Sequence, residues 1–133
     1  MTDLELHRVL LRNRIPQNIH DEASVREVAK DIVENDITNY GELNELVQKG
    51  IKYLLFAGLT ELSFVDPVSN RTLAWLFEWA RPQKLAHSQQ ASDKYFDMLS
   101  LMPKDELNLA RFYVCDKLMK YSVCAKVNLE HTA

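Results

Sequence analysis

LNELVQKGIKYLLFAGLTEL, residues 43–62, is the stretch on which the fold turns. Leu43, Leu46, Val47, Gly50, Ile51, Leu54, Leu55, Gly58 and Leu62 recur at helical spacing over roughly five turns. Gly50 and Gly58 both fall on the apolar face of that pattern. A glycine inside a helix costs about 1 kcal/mol relative to alanine, which favours a break at Gly50. The period does not slip across Gly50, which favours one long helix whose glycines let a neighbour approach closely. The second reading is expected, with the helix starting after Thr38-Asn39.

Upstream, Thr2-x-x-Glu5 has the form of a capping box and starts a first helix that runs to about Asn13 and is ended by Ile15-Pro16. Ser24-x-x-Glu27 has the same form. The stripe Val25, Val28, Ala29, Ile32 and Val33 after it predicts a second, amphipathic helix. Downstream, Asp66-Pro67 reads as an N-cap followed by proline at the first helical position, predicting a fourth helix to Arg81. Residues 82–91 form the most polar connection and are expected to be a mobile loop. Ser92 is expected to cap a short fifth helix carrying Tyr95, Phe96, Leu99 and Met102, interrupted by Pro103. The last helix is predicted from about Lys104 to Val127, with a frayed tail over 128–133.

Leu107, Ala110, Val114, Leu118, Tyr121 and Ala125 share one face of that last helix, and Phe112, Cys115, Met119 and Val123 widen its apolar arc past half the circumference. A helix so apolar belongs at the centre of a bundle or at a subunit interface. No run alternates with the period of a strand. The expected fold class is therefore all-α: a compact bundle of five or six helices, residues 1–133 forming one domain, with the third and last helices at its centre.

Composition narrows the function classes. The chain of 133 residues has 47% apolar and 26% charged residues, which excludes disordered and low-complexity classes. Two cysteines cannot staple a secreted scaffold, and no apolar run approaches a membrane span, so a cytoplasmic protein is expected. The net charge is −3. Residues 1–66 carry seven Lys and Arg against twelve Asp and Glu, which opposes phosphate approach to that half.

Motifs of chemistry are missing. The three glycines stand apart with no phosphate-loop context, and no nucleophile elbow, His-Glu-x-x-His, EF-hand loop or Cys-x-x-Cys occurs. The histidines at 7, 20, 87 and 131 lack the short-spaced pair a zinc site needs. No catalytic residue, metal or cofactor is expected. His20-Asp21-Glu22 reads as acids favouring a helix start. Cys115 and Cys124 fall on opposite faces of one predicted helix, Cys115 in the core and Cys124 on the polar side.

Trp75 and Trp79 lie off the predicted core stripe Leu73, Leu76, Phe77 and Ala80, adjacent to one another at i, i+4. Packing beneath another helix or the 82–91 loop would account for both, since tryptophan is often largely buried, but tryptophan is also enriched at binding hot spots. The outer face of the fourth helix, with Trp75, Trp79, Arg71 and Glu78, is therefore the expected partner-binding surface of a small interaction module: an adaptor, inhibitor or regulatory subunit, binding another protein or its own copy. The competing reading is a helix-turn-helix regulator of transcription built on residues 24–55. It suffers from Glu42 and Glu45 at the end that would meet DNA, with Lys49 and Lys52 coming late.

Overall fold

The computed structural model describes residues 2–15, 19, 21–66, 68–81 and 93–124. Among the described residues the named helices are α1 (Asp3–Arg12), α2 (Glu22–Asp36), α3 (Glu45–Leu62), α4 (Leu73–Ala80), α5 (Asp93–Ser100) and α6 (Lys104–Leu118). Short 3-10 turns occupy Tyr40–Glu42, Val68–Asn70 and Met119–Tyr121. No strand occurs among the described residues, and the one bridge, Arg14 to Thr72, stands alone. The all-α bundle expected from periodicity is the fold observed.

α3 is the axis of the bundle, packed against α2, α4, α5 and α6. It is continuous through both glycines, and every residue from Leu54 to Leu59 is buried. Leu54, Leu55, Leu59 and Leu62 are all fully enclosed, and burial of such a side chain stabilises a fold by about 1.5–3 kcal/mol. Both glycines mark close helix crossings. A Cβ on Gly50 would sit 2.7 Å from the Ala110 Cβ of α6, and one on Gly58 would sit 2.5 Å from Leu76 Cδ1 of α4.

The starts of the helices show where local signals compete. The capping box of Thr2 and Glu5 forms as read, each side chain accepting from the other's backbone N–H at 3.1 Å. At α2 the cap is Asp21, not Ser24. The Asp21 carboxylate accepts from Ser24 N at 2.8 Å while Ser24 Oγ accepts from Asp21 N, so the helix begins three residues before the expected point. Aspartate at 21 offers the same reciprocal geometry one turn earlier.

α3 begins at Glu45 under an Asn44 cap, later than its periodicity suggests. Asn39 takes a left-handed backbone (φ 64°), which asparagine tolerates better than most residues, and this turns the chain into the 3-10 segment first. The start expected at Asp66-Pro67 is likewise displaced: α4 begins at Leu73, and Pro67 lies outside the described residues. Its first N–H groups are satisfied by its own N-cap, Thr72, and by Asn13. Leu73 N donates to Asn13 O, Ala74 N to Asn13 Oδ1 and Trp75 N to Thr72 Oγ1. Asn13, at the end of α1, is thereby a buried cap in trans for α4.

The last helix is not central. Ala110, Val114 and Leu118 face α3 and α4, but Leu109, Phe112 and Met119 stand in solvent, Phe112 at 62% exposure. Ser92, the expected loop over 82–91 and the tail over 128–133 lie outside the described residues.

Candidate functional site

Among the described residues, a groove of about 540 Å³, open along one side, lies between α2 and α3. Its floor is apolar and aromatic: Ala29 and Val33 from α2, Tyr53 and Phe56 from α3, and Tyr40 from the 3-10 turn. The left-handed Asn39 swings Tyr40 over the groove, where its hydroxyl donates to Gln48 O at 3.0 Å. Burial pushes that phenol's pKa up, so it stays a neutral donor. Tyr53 and Phe56 meet edge to face at 6.3 Å, and Phe56 continues the aromatic row to Tyr95 of α5 at 5.4 Å.

The rim is mostly cationic. Arg26 and Lys30 stand one turn apart on α2, Lys52 faces them from α3, and Glu34 is the one acid of the lining. The Arg26 guanidinium lies 5.8 Å from the centre of the Phe56 ring and pairs with Glu22 at 3.0 Å. Lys30 reaches Glu34 only at 4.0 Å, and Lys52 has no ion-pair partner among the described residues. A basic rim thus stands in the acidic half of the chain.

Two charge clusters elsewhere are structural. Asp36, 3% exposed, accepts from Arg12 Nη2 at 2.9 Å and from Tyr121 Oη at 2.5 Å, with Lys120 Nζ 3.1 Å away. This ties α1, α2 and the end of α6 together. Burial and the Asp36 carboxylate push the Tyr121 phenol's pKa well up, so it remains a donor. At the start of α2, Glu22 accepts from Lys94 at 2.6 Å and from Tyr95 Oη at 3.2 Å beside a second hollow of about 340 Å³. The Lys94 hydrogen bond, followed by that of Tyr95, holds the Glu22 carboxyl below its usual range and raises Lys94.

The partner face expected on α4 is not assembled as one surface. Trp79 is 5% exposed, because its ring lies over Gly58 and against Phe96 at 6.0 Å. It is a core residue: α4 is covered on two sides, by α3 and α6, and the stripe Leu73, Leu76, Phe77 and Ala80 marks only one of them. Trp75 is half-buried against the core. Arg71 folds inward, donating through Nε to Val65 O at 3.0 Å. Glu78 alone is exposed, paired with Arg81 at 3.3 Å.

The cysteines also depart from expectation. Cys124 is buried, not polar-facing, and Cys115 is half-buried. The 3-10 turn at Met119–Tyr121 adds roughly 60° of rotation over three residues, enough to re-phase the chain beyond it. Burial raises both thiol pKa values, which keeps them protonated and poorly nucleophilic. Among the described residues no group of three or more His, Cys, Asp or Glu is placed to hold a metal, and no helix is long and apolar enough to cross a membrane.

The groove escaped the sequence reading because it needs two helices and a turn to exist. Its one local signal was Arg26, Lys30 and Lys52 interrupting an otherwise acidic first half. No family model, curated protein or solved structure matches this chain.

Proposed function

We propose that this protein is a small cytoplasmic interaction module, an adaptor or regulatory subunit, that seats a segment of a partner polypeptide in the groove between α2 and α3. One observation carries the reading: the half-exposed Tyr40 and Tyr53, backed by the buried Phe56, form an aromatic floor beneath a charged rim between two packed helices. Aromatic anchors under a polar rim are how interfaces combine affinity with orientation. The helix-turn-helix alternative finds less support, since the helix that would enter a DNA groove is the buried axis of the bundle.

The test is site-specific photo-cross-linking in expressing cells, with benzoylphenylalanine replacing Tyr53, Glu78 or Phe112 in turn. The expected result is an adduct of protein mass at Tyr53 that disappears with Lys30→Glu and Lys52→Glu. Adducts at Glu78 or Phe112 alone would move the interface to α4 or α6. Absence of adducts at all three positions would remove the interaction reading.

A further inference from the structure

We infer that the occupant of the α2–α3 groove is an acidic, amphipathic peptide segment that presents a bulky apolar side chain flanked by carboxylates. The inference rests on the proposed function and specifies the chemistry of the partner. Charge complementarity carries it. Arg26 and Lys30 are separated by one helical turn, about 6 Å of rise along α2, the spacing at which carboxylates at i and i+4 of a docked helix stand. Lys52 faces them from the other wall with no ion-pair partner among the described residues, and Lys30 is held only loosely at 4.0 Å from Glu34. Both ammonium groups are therefore available to a carboxylate without first breaking a close pair. Between them the half-buried Val33 and Tyr53 leave apolar surface, backed by the buried Ala29 and Phe56, that an inserted Leu or Phe would remove from water.

The shape and surroundings of the groove argue for a peptide over two other anions. A compact small molecule is normally enclosed over most of its surface and fixed by convergent polar groups. This groove is open, and the Tyr40 hydroxyl on its wall is already committed to Gln48 O. A nucleic acid carries a charge at every nucleotide, and on the elements that form the groove it would face Glu34 in the lining and the exposed Glu22 and Glu27 of α2, Glu42 of the 3-10 turn and Glu45 of α3. A peptide can place two or three carboxylates only where the rim is basic.

The test uses a fluorescein-labelled amphipathic helical peptide of about four turns. It carries Glu at i and i+4 beside a Leu and Phe stripe, and fluorescence anisotropy reads its binding to the full chain. Its Gln and Lys analogues and an oligothymidylate serve as comparators. The Glu peptide is expected to bind about tenfold more tightly than its Gln analogue, with affinity falling as salt is raised. Lys30→Gln with Lys52→Gln should erase most of that difference, because each exposed pair is worth a few-fold in affinity. Both lysines are exposed, so the fold is retained in that variant. Tyr53→Ala should weaken the Glu and Gln peptides alike.

Equal binding of Glu and Gln peptides, both sensitive to Tyr53→Ala, would overturn the acidic partner and leave the groove as the interaction site. A preference for the Lys peptide or for oligothymidylate would overturn it in favour of an acidic groove or a nucleic-acid surface. No binding by any probe would overturn the acidic partner, and the cross-link at Tyr53 then decides separately whether the groove is an interface.

Discussion

Replacing Gly50 by alanine sets two well-measured effects against each other. In an isolated helix the change is favourable by about 1 kcal/mol. Here the new methyl would lie 2.7 Å from Ala110 Cβ and 3.0 Å from Met102 Cε. Carbon atoms prefer about 3.5–4.0 Å, so something must give by about 1 Å. The Met102 methyl can swing aside on a flexible side chain, but Ala110 Cβ is fixed to the backbone of α6, and relief there means moving a helix. Overpacking of this kind costs about 1–3 kcal/mol, so Gly50→Ala should destabilise by about 1 kcal/mol net and Gly50→Leu by a few. The decisive comparison is with Ala110→Gly. Alone it loses about 1 kcal/mol of helix propensity as well as its packing. Joined to Gly50→Ala it restores the space, and the pair should be more stable than the two single effects summed by about 1 kcal/mol or more. Urea unfolding of the four proteins measures that coupling. A Gly50→Ala variant more stable than the parent, or strict additivity, would refute the close α3–α6 crossing.

Asp36→Ala leaves Arg12, Tyr121 and Lys120 around an empty buried site and should cost about 3–5 kcal/mol, whereas Asp31→Ala, removing a half-exposed partner of the same arginine, should cost about 1 kcal/mol or less by urea titration. Trp79→Ala should destabilise by about 3–5 kcal/mol and Trp75→Ala by well under that; equal small effects would contradict the packing of Trp79 on Gly58. The Glu22 carboxyl has a lowered folded-state pKa, so its stabilising contribution is complete above ~4.3, the unfolded value, and is lost as pH falls through the lower folded one. Carboxyl-detected NMR should show Glu22 titrating low and returning upward in Lys94→Gln, and an unmoved titration would refute the contact. Cys124 should react with a thiol reagent only as the protein unfolds, while Cys115 reacts slowly in the native state; matched native rates would contradict the burial of Cys124.

The helical content of the bundle was legible because it rests on local periodicity, and α3 shows this best: the apolar repeat across Gly50 predicted continuity and the helix is continuous. Helix starts were less legible. Asp21 and Ser24 can each cap α2, and the choice follows from which partner lies three residues on. The start of α4 is shared between a local cap, Thr72, which competes in the sequence with Asp66-Pro67, and Asn13, about sixty residues away, which no local motif can reveal. Whether Trp79 is covered or presented to a partner was open in the sequence for a related reason. A helical wheel assigns one inner face to a helix, and α4 has two, because Gly58 opens a slot in α3 into which the indole fits. The groove is a property of α2, α3 and the Asn39 turn together, so its parts were visible and its existence was not.

α1 contains no fully buried residue; Val9 and Leu10 are only partly covered. Its attachment is concentrated at the last turn, where Arg12 grips Asp31 and Asp36 and Asn13 caps α4. Releasing α1 therefore breaks a polar clasp rather than the apolar core. In hydrogen-exchange terms it is a separate unit, whose amides report an opening free energy below that of global unfolding, while the amides of α3 report the whole. The clasp has a second consequence for the order of events: once Arg12 lets go, the buried Asp36 keeps Lys120 as its one cation, and α4 keeps Thr72 as its cap but loses the two acceptors of Asn13. Detachment of the least buried helix thereby loosens the anchoring of the two helices it joins.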